Sequence, residues 1–136
     1  MKLAKLGLAF RTLAVVMSLV APLAAHHSFS AEYDDKKPLK LSGKVTMMKW
    51  SNPHAWIYLD VVGKDGKVVN WAFETAGANG LYRRGWRKED LVAGTVLLID
   101  AFQARNGKPA ANATSITFKD GRRLFAGSSN PNAPQQ

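Results

Sequence analysis

Two apolar runs and the turn between them constrain this chain most. Residues 55–62 (AWIYLDVV) and 68–74 (VVNWAFE) are rich in aromatic and β-branched side chains, which suit a pleated, half-buried surface. Lys64-Asp65-Gly66-Lys67 separates them, and an Asp-Gly pair in that place predicts a hairpin with a two-residue loop. Such a loop sets Asp60 opposite Trp71 and Tyr58 opposite Phe73. Trp56, Tyr58, Asp60 and Val62 then share a face with Val69, Trp71 and Phe73. Ala55, Ile57, Leu59 and Val61 share the other with Val68, Asn70, Ala72 and Glu74, because successive strand residues point to opposite sides. One face is aliphatic and suits the interior of a small barrel. The other is aromatic with a carboxylate.

The remaining chain reads as further strands. Leu39, Leu41, Val45 and Met47 alternate with Lys40, Ser42, Lys44 and Thr46, a half-buried strand with Met47 in its core row. Gly43 interrupts it and predicts a bulge or bend. Ser51-Asn52-Pro53 is a turn. Residues 78–84 form one or two helical turns closed by Gly85, and residues 95–104 and 112–118 are a fourth and fifth strand. Asp120-Gly121 turns into a short apolar piece, Leu124-Phe125-Ala126. Three strands, a short helix and two strands is the order of an OB-type Greek-key barrel. The expected fold is therefore all-β: a small five-stranded OB-like barrel over residues 38–127, with one short helix between strands 3 and 4. A meander or small sandwich shares much of this order. Residues 26–37 read as an arm with Phe29 and Tyr33 as anchors, and residues 128–136 as a disordered tail.

The first 25 residues read as an export signal. Lys2, Lys5 and Arg11 precede an apolar stretch from Thr12 to Val20, then Ala21-Pro22-Leu23-Ala24-Ala25, small residues of the kind signal peptidase needs. The apolar stretch is short for a membrane span. Cleavage after Ala25 leaves a periplasmic or secreted chain with no stable membrane anchor. It also takes the formal charge from +9 to +6. The chain has no cysteine, which excludes disulfides, thiolate metal sites and a cysteine nucleophile.

Basic charge with aromatic residues suits single-stranded nucleic acid, but export argues against that partner. Trp56, Tyr58, Asp60 and Trp71 form a candidate ligand-binding face, or else pack beneath the arm or the 78–93 segment. Arg83, Arg84, Arg87 and Lys88 beside Tyr82 and Trp86 form a basic–aromatic cluster that suits anionic glycans or headgroups, or is simply solvated.

The three histidines, His26, His27 and His54, occupy informative places. Cleavage after Ala25 makes His26 the mature N-terminus, whose α-amine and imidazole Nδ1 can chelate one metal. A third nitrogen from His54 completes a T-shaped site suited to copper, since imidazole donors and raw affinity favour Cu(II). Cleavage one residue earlier gives Ala25-His26-His27, a square-planar amino-terminal chelate for copper or nickel. His27 assists in the first arrangement.

No Gly-rich phosphate loop, GxSxG or HExxH is present, and the predicted register puts Asp60 and Glu74 on opposite faces, against a glycosidase carboxylate pair. The expectation is a binding protein and not an enzyme. The motifs HHSFSAEYD, SNPHAWIYLDV, WAFE, LYRRGWRK and DGRRLFAGSSNP together resemble a family of small exported bacterial proteins, mainly proteobacterial, of unknown function. That resemblance implies an exported single-domain β protein and transfers no ligand roles. The leading reading is a copper-type site of His26, His27 and His54. The alternative is an interaction module for a glycan, a small aromatic ligand or an envelope protein.

Overall fold

The computed structural model describes residues 29–127; the expected export signal, His26, His27 and the expected tail from 128 lie outside the described residues. After a helical turn at residues 29–32 come β1 (Tyr33–Lys49), β2 (His54–Val62), β3 (Val68–Ala76), α1 (Ala78–Arg83), a 3-10 turn (Lys88–Asp90), β4 (Val96–Ala104), β5 (Ala110–Phe118) and β6 (Arg123–Phe125). The strands lie in the order β3-β2-β1-β4-β5-β6, and a β3–β5 pairing closes five of them into a barrel-like ring. Every pairing is antiparallel except the short parallel one between Ala72–Glu74 and Ala110–Asn112. This is the expected OB-like order, with the helix between strands 3 and 4 and a short sixth strand made from Leu124 and its neighbours.

β1 serves two partners. Its earlier part pairs with β4 and its later part with β2, the two overlapping at Lys44. At this exchange a Cβ on Gly43 would stand 2.5 Å from the Asp60 carbonyl oxygen, so only glycine admits the close approach. The strand begins at Tyr33 rather than near Leu39, because β4 continues to supply backbone partners as far as Ala104. The bulge falls not at Gly43 but between Val45 and Met47. An extra residue there reverses the alternation. Val45 is buried, Met47 is 51% exposed, and Met48 takes the inward place that the simple alternation gave to Met47.

The β2–β3 register also differs from expectation by one residue. Asp60 pairs with Asn70, Tyr58 with Ala72 and Trp56 with Glu74. The loop has three residues, not two: Gly63 N donates to Lys67 O at 2.8 Å, Gly66 N to Gly63 O at 3.0 Å, and Gly66 has φ +78°. That is a turn followed by a left-handed glycine, the other common short hairpin. The slip turns all of β3 over. Trp71 and Phe73 therefore go with the aliphatic row, and Asn70, Ala72 and Glu74 go with Trp56, Tyr58 and Asp60.

The interior holds Ala55, Ile57 and Leu59 of β2, each fully buried, with Phe73, Leu97, Ile99 and Ile116 from the neighbouring strands. α1 covers one end through Ala78 and Leu81. It terminates in a Schellman arrangement in which Gly85 N donates to Tyr82 O and Trp86 N to Leu81 O. That turn drives Trp86 into the core, where its Nε1 donates to Phe125 O at 2.9 Å. A second, smaller cluster joins Phe29, Tyr33 and Ala104 with Phe102 and Ala110. Phe29 and Tyr33 are thus the anchors of the amino-terminal segment, on the outside of the ring.

Candidate functional site

Glu74 lies only 8% exposed on the outer face of the ring, and four strands meet around it. The β2–β3 register places His54 opposite Ala76 and Trp56 opposite Glu74, so His54 and Glu74 are diagonal neighbours on one face. His54 Nδ1 stands 2.9 Å from Glu74 Oε1. Nδ1 is buried and makes no hydrogen bond of standard alignment, so the contact is a close polar approach. The His54 side chain is nonetheless 39% exposed, and with Nδ1 toward Glu74 the ring geometry directs Nε2 away from that carboxylate. The parallel β3–β5 pairing sets Asn112 beside Glu74, where its Nδ2 approaches Oε2 at 3.5 Å. From the start of β1, the Tyr33 hydroxyl donates to the same carboxylate. Burial first, then the hydrogen bond and negative charge of Glu74, and lastly the charge of Glu32, push the Tyr33 hydroxyl far above its ordinary value of 10.0. Tyr33 therefore stays a neutral donor at any physiological pH.

A buried carboxylate needs partners to remain where it is, and these side chains supply them. The arrangement can hold one imidazole in a fixed orientation with Nε2 outward, the way outer carboxylates orient metal-binding histidines. Among the described residues, no three His, Cys, Asp or Glu side chains stand close enough to hold a metal by themselves. Any further donor has to come from elsewhere.

The other predicted residues are placed less uniformly. His26 and His27 lie outside the described residues, with His27 two positions before the buried Phe29. Trp56 and Tyr58 are half-buried on the outer face. Asp60 shares that face, but its Oδ1 accepts from Asn70 Nδ2 at 2.8 Å, and Asn70 also donates to Thr46 Oγ1 at 3.1 Å. Trp71 is not with them: it stacks on Phe73 at 6.1 Å between ring centroids and packs against the main core. The four-residue face of Trp56, Tyr58, Asp60 and Trp71 is therefore corrected to three. In the 82–88 segment Trp86 is fully buried, Arg87 lies 4.1 Å over the Tyr82 ring, and Arg84 donates to Gly127 O at 2.6 Å. Two of its arginines and its tryptophan thus serve the fold. Asp60 and Glu74 turn out to share a face. They lie four strand positions apart on the outer row, roughly 13 Å along the strand, too far for paired carboxylate chemistry at a glycosidic bond.

Glu74, Tyr33 and Asn112 were not expected beside His54 from the sequence. The one available signal was a Glu inside an otherwise apolar strand, and the wrong register sent it away from His54.

Residues 14–113 match the model of a family of unknown function, DUF6152. The chain belongs to that family. The matched span includes Tyr33, His54, Glu74 and Asn112 and ends before β6. No curated protein and no solved structure matches the DUF6152 chain.

Proposed function

We propose that this DUF6152 protein is an exported binding protein that holds a copper-type metal ion, with His54 as one donor and the amino-terminal histidines as the others. The observation that carries the reading is the His54–Glu74 contact. A buried carboxylate turns Nδ1 inward and leaves Nε2 facing outward as a ligand. The amino-terminal segment supports it. Phe29 packs 5.7 Å from Tyr33, and Tyr33 donates to the carboxylate that contacts His54. His27 is two residues before Phe29, so at most about 7 Å of chain separates the two, and the same region is within its covalent reach. A mature His26 would add its amine and ring nitrogen, a donor set that favours Cu(II) over other divalent ions. No bond to substrate is made or broken in this reading, so it is one of binding and not of catalysis.

The test is Cu(II) titration of the processed protein, its N-terminus verified by mass spectrometry, followed by electron paramagnetic resonance. One-to-one binding with a nitrogen-rich spectrum, weakened by His54→Ala and by an added N-terminal residue, is expected. Tight binding indifferent to His54→Ala would reduce the histidines to a peptide chelate and overturn the site.

A second reading rests on Trp56 and Tyr58, half-buried side by side on the outer face with only Ala72 opposite Tyr58. Such a platform suits stacking of a glycan ring, a small aromatic ligand or an aromatic side chain of an envelope protein. Trp56→Ala would abolish that binding and leave a metal site intact.

A further inference from the structure

The tip of the β2–β3 hairpin runs past the strand pairings that close the ring. Pairing of β2 with β1 ends at Asp60, and pairing of β3 with β5 begins at Ala72. Beyond these limits the backbones of the two strands pair with each other, through Val61↔Val69 and Val62↔Val68 and the loop bonds of Gly63. This end of the hairpin buries Val61 but carries Val62 at 67%, Val68 at 60% and Val69 at 41% exposure. These are half of the large apolar side chains that the described residues leave exposed, so they form a patch rather than scattered surface residues. Val62 and Val68 lie on the outer face and Val69 on the reverse one. A rigid, flat partner would cover one side of such a tip. A deformable apolar medium receives both.

The charge around the tip is net positive, three lysines against Asp60 and Asp65. Lys64 and Lys67 sit in the loop, and Lys44 borders the same shallow hollow as Val62, Val68 and Val96, about 450 Å³ in volume. The nearby acids are engaged within the protein: Asp65, itself 60% exposed, accepts from the Lys67 amide at 3.1 Å and lies 3.7 Å from its ammonium, and Asp60 is held by Asn70. Aliphatic residues collared by lysines match the layering of an anionic bilayer, with acyl chains beneath a sheet of phosphates.

We infer that the β2–β3 tip is a membrane-surface contact that dips Val62, Val68 and Val69 into an anionic lipid leaflet while Lys44, Lys64 and Lys67 meet the phosphates. The contact is peripheral and reversible. It lies at the opposite end of β2 from His54 and does not depend on metal binding.

The absence of cysteine makes the test site-specific. Val68→Cys carries an environment-sensitive fluorophore at the tip. Asn79→Cys carries it on exposed α1, beside the Ser51–Asn52 turn at the far end of the hairpin. With vesicles of phosphatidylglycerol and phosphatidylethanolamine, the probe at 68 is expected to shift to the blue and the probe at 79 to stay unchanged. Neutral phosphatidylcholine vesicles should give no shift at low salt. Lys64→Gln with Lys67→Gln should weaken vesicle binding about 25-fold, from roughly five-fold per lysine. Circular dichroism checks that these exposed changes leave the sheet intact. Equal shifts at 68 and 79, no shift at 68, or an equal response to soluble polyglutamate would overturn the inference.

Discussion

Glu74→Gln is the substitution that most directly tests the site. In the native protein Tyr33, Asn112 and His54 all turn a polar hydrogen-bonding group toward one carboxylate. Glutamine keeps the shape but leaves a single acceptor oxygen and turns the other position into a donor. The Tyr33 hydroxyl and the Asn112 amide are buried, so at least one approach to residue 74 becomes donor against donor. An unmet buried donor costs about 1–3 kcal/mol, and a central value of about 2 kcal/mol lowers the melting temperature of a domain this size by roughly 10 °C. Tyr33→Phe alone should cost about 1 kcal/mol by removing one hydroxyl bond. The two changes act on the same bond, so the double variant should lose less than the two single losses combined, with a coupling of about 1 kcal/mol. Urea denaturation of the four proteins reads these values. Additivity of the two losses, or a Gln variant as stable as the native protein, would refute the convergence of these groups on Glu74.

Two further outcomes follow from the same structure. The folded protein raises the Tyr33 hydroxyl above 10.0, so the native state retains a proton there that the unfolded chain releases. Stability from this group is fully present below pH 10.0 and falls as pH rises beyond it, by up to about 1.4 kcal/mol per pH unit. Tyr33→Phe should flatten that alkaline decline in a denaturation series; an unchanged slope would dismiss the cause. Gly43→Ala would press a methyl against the Asp60 carbonyl and should destabilise by about 1–3 kcal/mol. A variant with native stability would show that β1 and β2 separate there easily.

Much of the architecture was legible from residue pattern. Alternation placed the strands, the Gly85 stop placed the helix end, and Phe29 and Tyr33 were the aromatic residues of an otherwise polar arm. His54 shares the parity of Trp56, so strand alternation alone sets it on the same face as the aromatic row. The hairpin register was not legible, because Asp65-Gly66 is compatible with two loops that differ by one residue. Only the backbone of Gly63 and Gly66 decides between them, and the choice moves Trp71 inward and Glu74 outward. The Thr46 bulge has no local sequence mark either, since neither neighbour is a glycine. Asn112 meets Glu74 across 38 residues of chain through the parallel closure, which no periodicity within a single strand announces.

That closure has a consequence for motion. The ring is shut by three residue pairs, Ala72–Glu74 against Ala110–Asn112, whereas β2 and β3 share nine. Short seams are where folded proteins open first, well below the cost of global unfolding. Here the seam and the Glu74–Asn112 contact are the same residues, so each transient parting of β3 from β5 also withdraws a support from behind His54. A ligand held by His54 would act as a latch on the cylinder, and native-state hydrogen exchange at the Ala72 amide, bonded to Pro109 O at 3.0 Å, would report the latch closing.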